Sequence, residues 1–298
     1  MMKAGEELTG PAATGRAGDV VLENDEVVLV IANGNLVDAA DAHARVDELG
    51  GLEVYTGTPG GGASYTSRTT GALADGTAFV EARGYLRDDT SVVVHTRYTL
   101  HKNDRAALLE TTIENATTHS LTLAALGDAV TWGAKRTLAT SAFAGAVGDK
   151  TSYALTSTDG TIAWDAGHAI VRLHVEVAPG KSVSFARVFV IGPRADSAGL
   201  VAELTKMSGG EVGTLAVQVT ADGKNTSVPD AVIEIDDESG HPVMDLRGDA
   251  SGAIGGELPL GTYQLRFLRG GGRVAHGSPA TVSIASGREA TATVEVEP

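Results

Sequence analysis

Apolar and polar residues alternate with a period of two along most of this chain, the pattern of strands with one face packed and the other wet. Residues 19–31 (DVVLENDEVVLVI) predict a hairpin, two apolar runs joined by Glu23-Asn24-Asp25-Glu26. Small and acidic residues break the alternation over 34–49, which reads as an excursion rather than a strand. The pattern resumes at 52–55 and is followed by a Gly/Pro loop at 56–62. Further strands are predicted at 78–83, 91–100, 106–115, 121–129, 161–164, 169–178 and 182–191. The first helix is expected at 197–207, with Ser197 as its N-cap and Gly209-Gly210 as its stop. Short strands then follow at 215–220, 231–235, 242–246, 261–268, 280–284 and 290–297. Their spacing suits a small β-sandwich, so the reading is two domains, 1–208 and 209–298, with the boundary near 208–213.

Composition strengthens the all-β reading. The chain has 298 residues with 38 glycines and 4% aromatics, and glycine punctuating short Val/Thr/Leu runs marks many turns. With 23 basic and 38 acidic residues the net charge is −15, which argues against nucleic acid or an anionic membrane as partner. No apolar run is long enough to cross a bilayer, and residues 1–18 carry no apolar core of a signal peptide. There are no cysteines, so disulfides, thiolate metal sites and a Cys nucleophile are excluded.

Two strands display their faces. In 91–101, Val92, Val94, Tyr98 and Leu100 form one side, and His95, Arg97, Thr99 and His101 the other. In 168–177, Ala169, Val171, Leu173, Val175 and Val177 form the packed set, opposite Arg172, His174 and Glu176. If these strands were neighbours, His95, Arg97, His101, Arg172, His174 and Glu176 would line a groove for a carbohydrate, with imidazoles and carboxylates such as Glu110 or Glu176 available as acid and base. The plainer alternative is a solvated sheet face. Asp38, Asp41, His43 and Asp47 form the densest set of candidate metal ligands, suited to calcium through the carboxylates, against the alternative of a solvated acidic loop. No other cofactor is expected.

Several motifs dissolve on inspection. Gly180-Lys181-Ser182 lacks the first glycine of a phosphate loop, because Val175 stands there. There is no G-x-S-x-G and no H-E-x-x-H, so no catalytic residue is assigned. Asn115 and Asn225 head glycosylation sequons but read as turn residues, and Trp132 and Trp164 read as core. Arg247-Gly248-Asp249 leads into a turn, and Gly270-Gly271-Gly272 forms a hairpin tip.

Gly18-Asp19 with Leu22-Glu23-Asn24-Asp25 resembles the opening G-D-x-x-L-E-N-D of bacterial proteins that end in a PHP-type (polymerase and histidinol phosphatase) metallohydrolase domain. Asn35-Leu36-Val37-Asp38-Ala39, Leu126-Gly127-Asp128 through Trp132-Gly133, and Val177-Ala178-Pro179-Gly180 with 187–192 are similar to later elements of the same proteins, in the same order. The resemblance implies a galactose-mutarotase-like supersandwich. Residues 212–298 resemble a carboxypeptidase regulatory-like, prealbumin-like sandwich through Val228-Pro229-Asp230-Ala231-Val232, Asp249-Ala250-Ser251-Gly252 and Leu258-Pro259-Leu260-Gly261-Thr262-Tyr263. None of the metal ligands of the hydrolase domain has a counterpart in this sequence. The resemblance therefore implies a non-catalytic accessory or binding module of an exported, extracytoplasmic hydrolase, with a C-terminal hydrolase domain as its covalent partner. A carbohydrate-binding or carbohydrate-modifying protein and a surface spacer are the alternatives.

Overall fold

The computed structural model describes residues 1–58, 61–133, 136–271 and 279–296. Among the described residues the chain is all-β apart from one helix, and it divides into two units, Met1–Ile191 and Gly192–Pro298. Pro59, Gly60, Gly272 and Glu297, each included in an expectation above, lie outside the described residues.

The described residues of the first unit form β1 (Val20–Glu23), β2 (Val27–Ala32), β3 (Asn35–Asp41), β4 (Leu49–Tyr55), β5 (Ala63–Ala72), β6 (Ala78–Leu86), β7 (Asp89–Leu100), β8 (Ala106–Asn115), β9 (Leu121–Trp132), β10 (Arg136–Ala139), β11 (Ala144–Val147), β12 (Ser152–Ser157), β13 (Ala163–Asp165), β14 (His168–Val177) and β15 (Ser182–Ile191). They form a supersandwich of two antiparallel sheets. The seven-stranded sheet runs β1-β2-β3-β4-β9-β14-β13 and the eight-stranded sheet β10-β11-β12-β15-β8-β7-β6-β5. Leu29, Ile31 and Leu36 of the first sheet pack against Tyr98, Leu109 and Phe189 of the second. A second cluster joins Val54, Leu123 and Leu126 to Val94, Ile113 and Phe185.

Between the two clusters lies an ion pair. Arg187 Nε and Nη2 donate to the Asp128 carboxylate at 2.6 and 2.5 Å, and both side chains are fully buried. Arg187 falls between Phe185 and Phe189 on β15, and Asp128 between Leu126 and Val130 on β9, so the pair ties one sheet to the other. Its second terminal nitrogen, Nη1, donates to Leu109 O and Thr111 Oγ1, and a hydroxyl chain runs on through Thr96 to Tyr65. Burial raises the Asp128 pKa, and the guanidinium opposes that rise.

Residues 1–19 cover the outside of the seven-stranded sheet. Met2 and Leu8 pack on Val28, Val30 and Ala40, so β2 is buried on both faces. This explains its unbroken run of apolar residues.

The stretch 34–49 departs from expectation, because it contains β3. Asn33 (φ 49°) and Gly34 (φ 83°) form the two-residue turn that joins it to β2, and only a residue tolerating the left-handed region fits there. The polar edge strand β5 and the strands β10–β12 were likewise absent from the sequence pattern.

The second unit holds α1 (Ser197–Met207) and β16 (Val212–Ala221), β17 (Lys224–Asn225), β18 (Val232–Asp236), β19 (Pro242–Arg247), β20 (Ile254–Pro259), β21 (Gly261–Arg269), β22 (Ala280–Ile284) and β23 (Glu289–Glu295). One sheet centres on β16, flanked by β17, β20 and the parallel β23, and the other runs β19-β18-β21-β22. Leu215, Ile233, Leu258 and Leu265 fill the space between them. The helix occupies its expected span, but Asp196 caps it, accepting from Gly199 N at 2.8 Å. The hydroxyl of Ser197 bonds Asp245 instead. The division after Ile191 places the helix within the second unit, ahead of the expected boundary at 208–213.

Candidate functional site

Because Val92, Val94 and Tyr98 of β7 point into the core, His95 and Arg97 stand on the outer face of the eight-stranded sheet. Register then fixes their neighbours. Arg97 lies directly opposite Glu81 on one side and Glu110 on the other, and His95 lies opposite Arg83 and Thr112. The Arg97 guanidinium rests on the Phe79 ring, 4.1 Å from its centroid, and His95 Nδ1 is 4.0 Å from Glu81 Oε1. Glu81, His95, Arg97, Glu110, Thr112, Glu114 and Ser182 line an open depression of about 360 Å³. It offers carboxylate, guanidinium, imidazole and hydroxyl groups on one rigid surface.

The remaining groove candidates fall elsewhere. His101 follows the end of β7, where its Nδ1 is 2.8 Å from Thr77 Oγ1. Arg172, His174 and Glu176 lie on β14, whose neighbours are β9 and β13, whereas those of β7 are β6 and β8. The neighbour condition is not met, so the six residues do not share a groove. Alternation reports which side of a strand a residue occupies, but not which sheet the strand joins. A register shift between Ile170 and Arg172 also disturbs β14. Leu173, expected in the packed set, is 59% exposed, and His174 adopts a left-handed φ of 52°. Arg172 pairs with the exposed Asp159 at 2.9 Å.

The acidic set does not assemble into a cation site. Asp38 accepts from Thr14 N, Thr14 Oγ1 and Gly15 N at 2.7–3.1 Å and so pins the N-terminal segment. Asp41 pairs with Arg105 at 2.6 Å and caps the turn at His43 and Ala44. Burial pushes the Asp41 carboxyl up, but Arg105 and those amides outweigh it and hold the pKa below the usual value. The His43 side chain is exposed. Asp47 is fully buried, with Oδ1 accepting from Ala39 N and Leu49 N and Oδ2 without a hydrogen-bond partner among the described residues. Burial, aided by the charges of Asp38 and Glu48 and opposed by the two amides, raises its pKa to about 8. Among the described residues no three His, Asp or Glu side chains converge to hold a metal ion, and the engaged Asp38 and Asp41 oxygens do not fit calcium.

Sequence reasoning passed over Glu81, although the alternation of 78–83 places it opposite Val80 and Ala82. The Asp128–Arg187 pair was also missed, although both residues stood in the quoted motifs. Trp132 and Trp164 pack against the main core, and the Asn115 amide is buried, donating to His119 O and Val177 O. Asp249 accepts from Ser251 and Ala253 amides, which folds the Arg247-Gly248-Asp249 tripeptide into a strand end and turn.

No family model and no curated protein matches the chain. Among solved structures, it is similar to a TPR-domain containing protein from Parabacteroides distasonis at 10% identity and a TM-score of 0.44, over 59% of this chain and 47% of that one. It is similar to the alpha-galactosidase from Lactobacillus brevis at 9% identity and a TM-score of 0.40, over 67% of this chain and 44% of that one. A polysaccharide lyase aligns at 12% identity and a TM-score of 0.39, over 93% of this chain and 47% of that one. The chain thus spans about half the length of these proteins.

Proposed function

We propose that the first unit is a non-catalytic binding module that takes a polyhydroxylated ligand of the carbohydrate class on the outer face of its eight-stranded sheet. The observation that carries this reading is the row Glu110–Arg97–Glu81 beside His95 and Thr112, lining one open depression. Planar charged side chains hydrogen-bond adjacent hydroxyls in pairs, and a broad β face accommodates a chain of sugars. The openness of the depression favours binding over chemistry, since an enclosed site is what water-excluding catalysis requires. The test is a titration of the protein with neutral monosaccharides and oligosaccharides, followed by amide chemical shifts. Shifts centred on β6, β7 and β8, with binding weakened at least about tenfold by Arg97→Ala, support the reading. No shift on that face at millimolar sugar would sink it.

The accessory role ahead of a PHP-type domain in an exported hydrolase is part of the same proposal. It rests on the sequence resemblance of residues 18–192 alone. Sequencing the source locus past the Pro298 codon tests it. A frame continuing into a His-x-His metal motif is expected, and an immediate stop codon would refute it.

A further inference from the structure

A second, smaller concavity lies where the β2–β3 turn meets the edge strand β5. Asn33, Gly34, Tyr65, Thr66, Ser67 and Arg68 line a cup of about 260 Å³. Its floor is fixed by close packing. A Cβ on Gly34 would fall 2.3 Å from the Tyr65 ring, so only glycine lets the turn backbone lie flat on that ring. The Tyr65 hydroxyl is held by Thr96 at 2.6 Å, and the Gly34 carbonyl accepts from Tyr98 at 2.9 Å. On the other side, the register shift between Tyr65 and Ser67 kinks β5 where it meets the turn.

The groups on the rim are donors. Arg68 Nη2 donates to Gly18 O at 3.0 Å, which anchors the guanidinium, and its other N–H groups have no partner among the described residues. The Asn33 amide and the Ser67 hydroxyl have no hydrogen-bond partner among the described residues. No acidic residue lines the cup, and none occurs between Glu53 and Asp75 in a chain whose net charge is −15. A guanidinium, an amide and a hydroxyl among the lining of one cup that no carboxylate lines suit a planar anion.

We infer that this cup binds the carboxylate of a small ligand no larger than a monosaccharide acid, with Arg68 as the charged contact and Asn33 and Ser67 as neutral donors. The site is separate from the depression at His95 and Arg97, and it stands or falls independently of that reading. The test is an amide chemical-shift titration of the full chain with galacturonate, and with galactose as the uncharged counterpart. Galacturonate is expected to shift Asn33, Gly34, Ser67 and Arg68, and galactose to bind about tenfold or more weakly there. Arg68→Ala is expected to abolish the galacturonate shifts. Because that change also releases Gly18, Asn33→Asp serves as the second variant: aspartate tolerates the left-handed turn and places a negative charge on the rim. Loss of galacturonate binding in a normally folded Asn33→Asp protein supports the inference. Equal binding of galactose, or galacturonate shifts at the cup that survive Asn33→Asp, would overturn it.

Discussion

Buried charge in the first unit follows two rules. Asp128 and Arg187 meet in bidentate geometry, with Thr111 and a backbone carbonyl taking part of the remaining guanidinium capacity, so the guanidinium opposes the rise that burial imposes on the Asp128 pKa. Asp47 has no ion pair among the described residues, and burial raises its pKa to about 8. The unfolded chain releases this proton near pH 4, whereas the folded chain retains it to about pH 8. Between those limits the folded state binds the extra proton, so rising pH removes stability at up to about 1.4 kcal/mol per pH unit. The contribution is complete below pH 4 and gone above about pH 8. Asp47→Asn keeps the oxygen that accepts from Ala39 and Leu49 and cannot ionise. Urea midpoints measured at pH 5 and pH 8.5 are expected to differ less in this variant than in the parent, with the gain appearing at the higher pH. An unchanged pH dependence would show that Asp47 is ionised in the folded protein.

At the scale of elements, the strands legible in the sequence are those with one packed face, such as β7, β8 and β15. Those that escaped were hidden by other physics. In β3 the buried position Asp38 is polar because it binds the N-terminal segment, and this breaks the apolar alternation. In β5 the residues after Tyr65 are small or polar because the strand closes a sheet edge and has little to pack against. In β14 the alternation is regular in sequence, yet a register shift leaves Leu173 exposed, an effect that no periodicity can report. Gly127 on the neighbouring β9 lies close against β14, since a Cβ there would lie 2.0 Å from Ala169 O. Gly127→Ala must therefore push β14 away from β9 at the residue beside Asp128. The expected cost is about 2–3 kcal/mol, the range for overpacking against unyielding backbone. Amide exchange should accelerate across β14 and β9 and remain unchanged in β6 and β7. Uniform loss of protection in all four strands would mean that the damage reaches the core ion pair.

For the whole molecule, the sequence conveyed two sandwiches and their order but put the boundary a helix too late. A helix between two β patterns can belong to either side, the sequence reading placed this one in the first domain, and only its contacts reveal its allegiance. Here α1 packs on β19 and β20, burying Ala198, Leu200 and Ala202. Arg194 donates to Gly255 O, Asp196 accepts from Arg247 N, and Ser197 and Asp245 exchange hydrogen bonds. The candidate site was legible in the same partial way. Faces were readable within β7, while the partners Glu81 and Glu110 required knowledge of which strands adjoin. The helix assignment has a direct consequence for the second unit, because a sandwich of this size has little stability to spare. A fragment of residues 192–298 is expected to unfold cooperatively. One beginning at residue 209 loses the leucine and alanines that α1 buries and exposes the sheet surface beneath them, at a cost of about 3 kcal/mol or more. Thermal unfolding of the two fragments side by side decides the matter: equal midpoints would show that the helix adds nothing to the second core, and a lowered or absent transition in the shorter fragment makes it part of that core.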